Sequence, residues 1–306
     1  MNAMGFLRIF HETTYRYSRP VTFGPHRLVL RPREGHDIRV EEMRLEIEPK
    51  FQLHWSRDVF GNSVATVQFL EPGALLSIRN YLVLQQGAPF PLEGIHPAQP
   101  IAFPPDYSPL ESELLSAYRT PVFPDDSLMV RNWAQKVIGS SNYNNSESVV
   151  ALLNRHIHDT IRPLRREIEG VQPPALTLSE GSGSCRDLAT LLMEALRALG
   201  LPARFASGYL DCSASESGCA STHAWAETYL PEIGWTGYDP TSGEATSREH
   251  VVIGISNHPR GVMPVAGSYR GFSYDSQGMS VRVQTERCEQ LPSSEPNIPL
   301  GLQVGC

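Results

Sequence analysis

From Phe6 to Tyr17 the chain alternates, with Leu7, Ile9, His11, Thr13, Tyr15 and Tyr17 on one parity. Period-two alternation in a stretch rich in aromatic and β-branched residues predicts a strand with one covered face. Similar runs follow at Arg27 to Arg31, Ile38 to Ile47, Ser63 to Leu70 and Leu75 to Leu84. Turn-forming clusters separate them at Ser18-Arg19-Pro20, Pro32 to Gly35 and Asp58 to Asn62. Short strands at such spacing predict a small antiparallel sandwich or barrel. Nothing in this part groups into a catalytic cluster.

The period then changes. Gln86 to Asp125 holds nine of the 25 prolines and reads as an extended connection, broken by a short helix at Pro109 to Tyr118. Beyond it, Val130, Trp133, Ala134, Val137 and Ile138 form one helical stripe. Val149, Val150, Leu153 and Ile157 form a second, within a helix over Ser146 to Thr160. Leu188, Leu191, Leu192, Ala195, Leu196 and Leu199 form a third, ended by Gly200 and Pro202. Strands are predicted at Ala203 to Leu210, Thr222 to Leu230 and Trp235 to Asp239. The fold class is therefore α+β. It divides into a β-rich domain (1–88), a proline-rich connection (89–125), a cysteine-containing core (126–288) and a flexible tail (289–306). The connection predicts that few contacts cross the boundary, so the β domain should be removable.

Composition narrows the function. The chain has 306 residues, 41% of them hydrophobic and 19% charged, which excludes a chiefly disordered protein. No apolar run approaches the ~20 residues of a membrane span, and the N-terminus lacks the apolar stretch of a signal peptide. A net charge of −7 without basic clusters argues against nucleic acid as a partner. Five irregularly spaced cysteines do not suggest a disulfide framework, so a cytoplasmic location is expected.

The chemistry concentrates at Gly181-Ser182-Gly183-Ser184-Cys185-Arg186-Asp187. Ser184 and Asp187 have capping-box spacing, so Cys185 falls in the first turn of the third helix. Free amide groups and the positive end of the helix dipole favour a thiolate there. Gly181 and Gly183 are expected to leave room for a substrate carbonyl, which makes Gly183 and Ser184 candidate substrate contacts. A cysteine nucleophile needs a base, and the base an orienting partner. His223 and Asp239 can fill these roles if their strands place them on one face. A three-residue loop pairing Leu230 with Gly234 does so, setting Asp239 diagonal to His223, whereas a four-residue loop sets them on opposite faces. The three-residue register, or a bulge of equal effect, is predicted. Trp225 shares the strand face of His223, as a wall of the site or as core packing.

These residues resemble a known family. Gly183-Ser184-Cys185-Arg186-Asp187, His223-Ala224-Trp225-Ala226-Glu227-Thr228-Tyr229, Gly234-Trp235 and Asp239-Pro240-Thr241 are similar to the microbial transglutaminase-like superfamily. His11-Glu12-Thr13-Thr14-Tyr15-Arg16-Tyr17 and Leu30-Arg31-Pro32-Arg33 resemble the β-rich domain that precedes this core in bacteria. The resemblance spans about Phe6 to Phe272. It implies a papain-like core in which a helix bearing the cysteine packs on an antiparallel sheet. It further implies Cys185 as nucleophile, His223 as general base and Asp239 as its orienter. The implied activity is cleavage of peptide or isopeptide-like amide bonds through a thioester, as a hydrolase or protease. Amine acyl transfer is the alternative. No cofactor or metal is expected, and the expected partner is a peptide or other amide-containing substrate.

Two other readings compete. One is a non-catalytic binding module on the same fold. The other is a structural zinc site of Cys212, Cys219 and His223, although six residues separate the cysteines, against the two to four typical of zinc pairs. Arg162, Arg165 and Arg166 read as a solvated face.

Overall fold

A computed structural model of the chain describes residues 5–87, 100–139, 145–166, 170–211 and 221–291. The N-terminal strands are β1 (Gly5–Phe23), β2 (His26–Leu28), β3 (Ile38–Glu48), β4 (Phe51–Arg57), β5 (Ser63–Phe69) and β6 (Gly73–Gln86). The chain then forms helices α1 (Pro109–Leu114), α2 (Ser127–Ile138) and α3 (Ser146–Thr160), and the short strand β7 (Arg162–Pro163). Helix α4 (Pro174–Glu180), strand β8 (Ser182–Gly183) and helix α5 (Cys185–Ala198) come next. Strands β9 (Ala203–Leu210), β10 (Ser221–Leu230), β11 (Gly234–Asp239), β12 (Glu244–Ala245) and β13 (His250–Ser256) follow. Three more close the chain: β14 (Val265–Ala266), β15 (Tyr269–Arg270) and β16 (Ser276–Cys288). No helix among the described residues is long and apolar enough to cross a membrane.

The strands up to β6 build two antiparallel sheets, one ordered β15-β1-β6-β3 and the other β14-β2-β5-β4. Tyr17, Val21, Leu76 and Ile78 from the first sheet meet Leu28, Ala65 and Val67 from the second in one apolar cluster, which makes a sandwich. Sequence reading missed β4. It is an edge strand in which Phe51, Leu53 and Trp55 alternate with Gln52, His54 and Ser56, and Phe51 and Leu53 pack on the sandwich core.

The division into contiguous domains needs correction. Ser276–Cys288 was assigned to the cysteine core, but as β16 it pairs with β1 from Phe6 opposite Cys288 to Tyr17 opposite Ser276. β14 and β15 likewise pair with β2 and β1. The sandwich is thus closed by the C-terminal end of the chain. Local periodicity reveals a strand but not its distant partner, so this return is invisible in the sequence.

Nor is the sandwich separable from the rest. Leu7, Ile9, Ile38, Leu82 and Leu84 share an apolar cluster with Tyr209 of β9 and with Val251 and Ile253 of β13. Polar links reinforce it. The fully buried Asn62 donates from Nδ2 to the Ile255 carbonyl at 2.7 Å and accepts the Ile255 N–H on Oδ1 at 3.0 Å. His11 bonds the Tyr209 hydroxyl at 3.0 Å, and burial lowers its pKa to about 4, so it stays neutral there. The expected removable domain is therefore not found. The proline-rich connection is partly outside the described residues, as are 212–220 with Cys212 and Cys219, and the tail from 292.

The second half is a five-stranded antiparallel sheet, ordered β12-β11-β10-β9-β13, with helices packed on it. Leu188, Leu191, Leu192, Ala195 and Leu196 of α5 are buried in one cluster with Phe205, Ala224 and Ala226. Leu230 lies opposite Gly234 and Tyr229 opposite Trp235, the three-residue-loop register that the spacing predicts. Gly234 has φ +86°, a left-handed conformation that an L side chain resists.

Asn62→Ala is expected to strip two backbone groups of Ile255 of their partners and cost about 2 kcal/mol, as buried unsatisfied groups do. Urea unfolding measures it, and a chain truncated before Pro105 should fail to give a cooperative transition.

Candidate active site

α5 begins at Cys185, directly after Ser184, whose extended backbone (φ −77°, ψ 167°) marks the helix start. The Asp187 carboxylate reaches back to this start, its Oδ2 accepting the Ser184 N–H at 2.8 Å and the Ser184 Oγ–H at 2.7 Å. Its Oδ1 accepts the Gln172 N–H at 2.7 Å. Arg166 completes the set as a bidentate donor, Nε to Oδ2 at 2.9 Å and Nη2 to Oδ1 at 3.0 Å. Burial alone would raise the pKa of Asp187, but these donors outweigh it and hold the group below its ordinary value. The carboxylate thus fastens the segment before α4 to the start of α5. Arg166 is accordingly not part of a solvated face, as its sequence context suggested. Its side chain is only 12% exposed.

Gly183 and Ser184 also take roles other than those expected. A Cβ on Gly183 would lie 2.9 Å from Asp187 Cβ, 3.1 Å from Gln172 Oε1 and 3.2 Å from Leu188 Cδ1. The space beside this glycine is filled by the protein's own side chains, so it serves close packing rather than substrate access. Ser184 is buried and its hydroxyl donates to Asp187.

The other half of the site lies at one end of the sheet. In the antiparallel order, the end of β9, the start of β10, the end of β11 and the start of β13 all fall there. His223, third residue of β10, donates from Nε2 to Asp239 Oδ2 at 2.8 Å. Asp239, the last residue of β11, accepts the Thr241 N–H on Oδ1 at 2.8 Å. The diagonal relation that the register sets up is what brings the two together. The Cys185 side chain is hydrogen-bonded to the same imidazole. The structure thus brings Cys185, His223 and Asp239 into one cluster.

The electrostatics follow from this packing. Burial opposes a charged His223, but the hydrogen bond to Asp239 and then that to Cys185 outweigh it, raising its pKa to about 10. Burial also opposes a charged Asp239, yet His223 and a second imidazole hold it below the ordinary carboxylate range.

That second imidazole is His250, which sequence reading missed. Its Nε2 lies 3.3 Å from the same Oδ2, and its Nδ1 accepts the Ser247 N–H at 3.1 Å. Trp225 packs its ring against His250, edge-on at 5.2 Å between centroids. Trp225 is 1% exposed and clusters with Ala206 and Ile255, so core packing is its role and it does not wall an open site. The one sequence signal for His250 is a histidine opening an apolar strand after a polar turn.

His223, Asp239 and His250 have ligand atoms within 4.8 Å of one another, close enough to share a cation. The hydrogen bonding argues otherwise. Ser247 occupies Nδ1 of His250, which keeps the proton on Nε2, and both imidazole N–H groups point at one carboxylate oxygen. A zinc site using His223 fares no better, since its ring is engaged by Asp239 and Cys185.

Comparison with known proteins places these elements. Residues 7–84 match the bacterial transglutaminase-like N-terminal region, and residues 131–240 match the transglutaminase-like superfamily. An uncharacterized protein of Mycobacterium tuberculosis is 27% identical over 304 residues, covering 90% of this chain and 89% of its own length. A Pseudomonas aeruginosa protein-glutamine gamma-glutamyltransferase is 34% identical over 110 residues, which are 33% of this chain and 16% of that protein. Among solved structures, a candidate cysteine protease from Cytophaga hutchinsonii superposes with a TM-score of 0.72 at 18% identity. It covers 93% of this chain and 91% of its own, a likeness of fold.

Arg166→Met is expected to leave Asp187 buried without its cation and to cost about 3 kcal/mol, the lower end for a broken buried pair. Denaturant unfolding at neutral pH checks the value.

Proposed function

The chain, with its N-terminal region and its core, belongs to the transglutaminase-like superfamily, and from that premise we propose that it is a cysteine hydrolase of peptide-like amide bonds. The observation that carries the reading is the assembly of Cys185, His223 and Asp239 from α5, β10 and β11. In this reading the Cys185 thiol has passed its proton to His223, giving a thiolate–imidazolium pair. The thiolate attacks the amide carbonyl, and the backbone N–H of Cys185 at the helix start stabilises the oxyanion. As the tetrahedral adduct collapses, the C–N bond breaks, His223 gives its proton to the departing amine, and the acyl group stays on sulfur as a thioester. His223 then takes a proton from water, whose oxygen displaces the thiolate and frees the acid.

Acyl transfer to an amine is the second reading, supported by the 34% identity to the Pseudomonas aeruginosa enzyme. The two differ only in what resolves the thioester. A glutaminyl peptide offered with a fluorescent primary amine separates them. Ammonia release without label in the product is expected for hydrolysis, and label in the peptide for transfer. Cys185→Ala should abolish both. Activity carried by that variant would sink the proposal.

The pH profile tests the roles of His223 and Asp239. Activity requires thiolate and imidazolium together, so the profile is a bell whose two limbs belong to the coupled pair. Because the pKa of His223 is raised to about 10, the alkaline limb should lie well above the ~6.5 of a free imidazole. Asp239→Asn removes the anion that stabilises the imidazolium. The alkaline limb should move to lower pH, and the rate should fall by roughly 100-fold or more. An unmoved limb would remove Asp239 from the mechanism.

A further inference from the structure

The hydrogen bonds of Asp239 point beyond the three residues above. Its carboxylate is 1% exposed and carries three donors: His223 Nε2–H and His250 Nε2–H on Oδ2, and the Thr241 N–H on Oδ1. The Thr241 N–H holds Oδ1 from the turn that follows Asp239. His250 adds a second donor on Oδ2, the oxygen that faces His223, and so fixes the carboxylate from its other side. His250 is suited to this because its tautomer is set from outside the site. The Ser247 N–H at 3.1 Å fills the Nδ1 lone pair and leaves Nε2 as a permanent donor. Trp225 holds the ring from the side, and the ring centroids of His250 and His223 are 6.2 Å apart.

The arrangement also answers a demand of the reaction. When His223 hands its proton to the leaving amine, Asp239 faces a neutral imidazole. A buried anion that loses its cationic neighbour needs other donors if it is to stay ionised. His250 supplies one at every step.

We propose that His250 is a positioning residue of the site, a fixed-tautomer N–H donor that aims Asp239 Oδ2 at His223 and keeps that carboxylate ionised through the catalytic cycle. The proposal rests on the cysteine-enzyme reading given above. Among the described residues, the ionisable groups meeting in this cluster are Cys185 from α5, His223 from β10, Asp239 from β11 and His250 from β13.

The test reads the thiolate–imidazolium pair without a substrate. The protein is alkylated with iodoacetamide across a range of pH, and the modified Cys185 peptide is followed by mass spectrometry, which separates it from the other cysteines. In the intact protein Cys185 should react at neutral pH, and His223→Ala should slow it. His250→Leu frees the Asp239 carboxylate to turn, so the imidazolium is less stabilised and less thiolate is present at neutral pH. The expected result is a rate about 10-fold lower at neutral pH, the effect of an upward shift of about one pH unit in the reactive pair. The rising limb should move to higher pH, towards that of Asp239→Asn. His250→Gln should restore much of the rate, because the glutamine amide nitrogen lies the same number of bonds from Cα as histidine Nε2. Asparagine is shorter, so His250→Asn should behave like the leucine variant and replaces it if His250→Leu does not fold. Separately, nitrogen NMR of the unmodified protein should show His250 protonated on Nε2 and not on Nδ1.

A folded His250→Leu or His250→Asn protein with the alkylation profile of the intact chain would overturn the proposal while leaving the enzyme reading in place. So would an Nδ1-protonated His250. If the intact protein alkylates no faster than His223→Ala, the cysteine-enzyme reading falls and this proposal falls with it.

Discussion

A carboxylate buried at the end of a strand is costly unless its lone pairs are filled, and Asp239 is such a group. Its donors come from β10, from the turn at Thr241 and from the start of β13. Satisfying this anion therefore requires three separate segments to meet at one end of the sheet. That meeting fixes where His223 points. It also raises the proton affinity of the imidazole that faces Cys185. The geometry that solves a folding problem is the same one that prepares the chemistry.

The same logic recurs along α5. At its start, Asp187 gathers donors from Arg166, Gln172 and Ser184. Towards its end, Glu194 accepts the N–H groups of Val122 and Phe123 at 3.0 and 3.2 Å. Arg197 donates to the carbonyls of Thr120, Ala203 and Asn257. Both ends of the helix are thus bound by buried, hydrogen-bonded ionic groups, while its apolar face lies against the sheet. Cys185, at the first turn of a helix held in this way, has little freedom to drift from His223. Positional accuracy of this kind is what covalent catalysis needs.

The sandwich belongs to the same constraint. The face of its first sheet that carries Leu76 and Ile78 continues through Leu82 and Leu84 onto Tyr209, Val251 and Ile253, and Asn62 bonds both backbone groups of Ile255. β9 and β13 are the strands that carry these contacts, and β13 opens with His250. At the same end of β9, Asp211 is held by Thr285 and Arg287 of β16 at 2.6 Å each. The N-terminal region thereby supports the sheet whose other strands hold His223 and Asp239.

Much of this was legible in the chain itself. Ser146 to Thr160 reads as a helix because its stripe repeats at the helical period, and it folds as one over those residues. Cys185 reads as a first-turn residue because Ser184 and Asp187 carry capping spacing. The register of β10 and β11 is the three-residue-loop pairing expected if His223 and Asp239 share a face, a condition that parity states but does not fix. These features depend on neighbours in sequence, where periodicity, caps and turns act. Other features do not. Arg166 looks solvated until Asp187 folds over to meet it, and Gly183 looks open until Gln172 and Leu188 fill the space beside it. β16 joins β1 across almost the whole length of the chain, and His250 reaches Asp239 only because the turn before β13 crosses the end of the sheet. Burial and long-range hydrogen bonding decide those roles, and they exist only once distant segments have packed against one another.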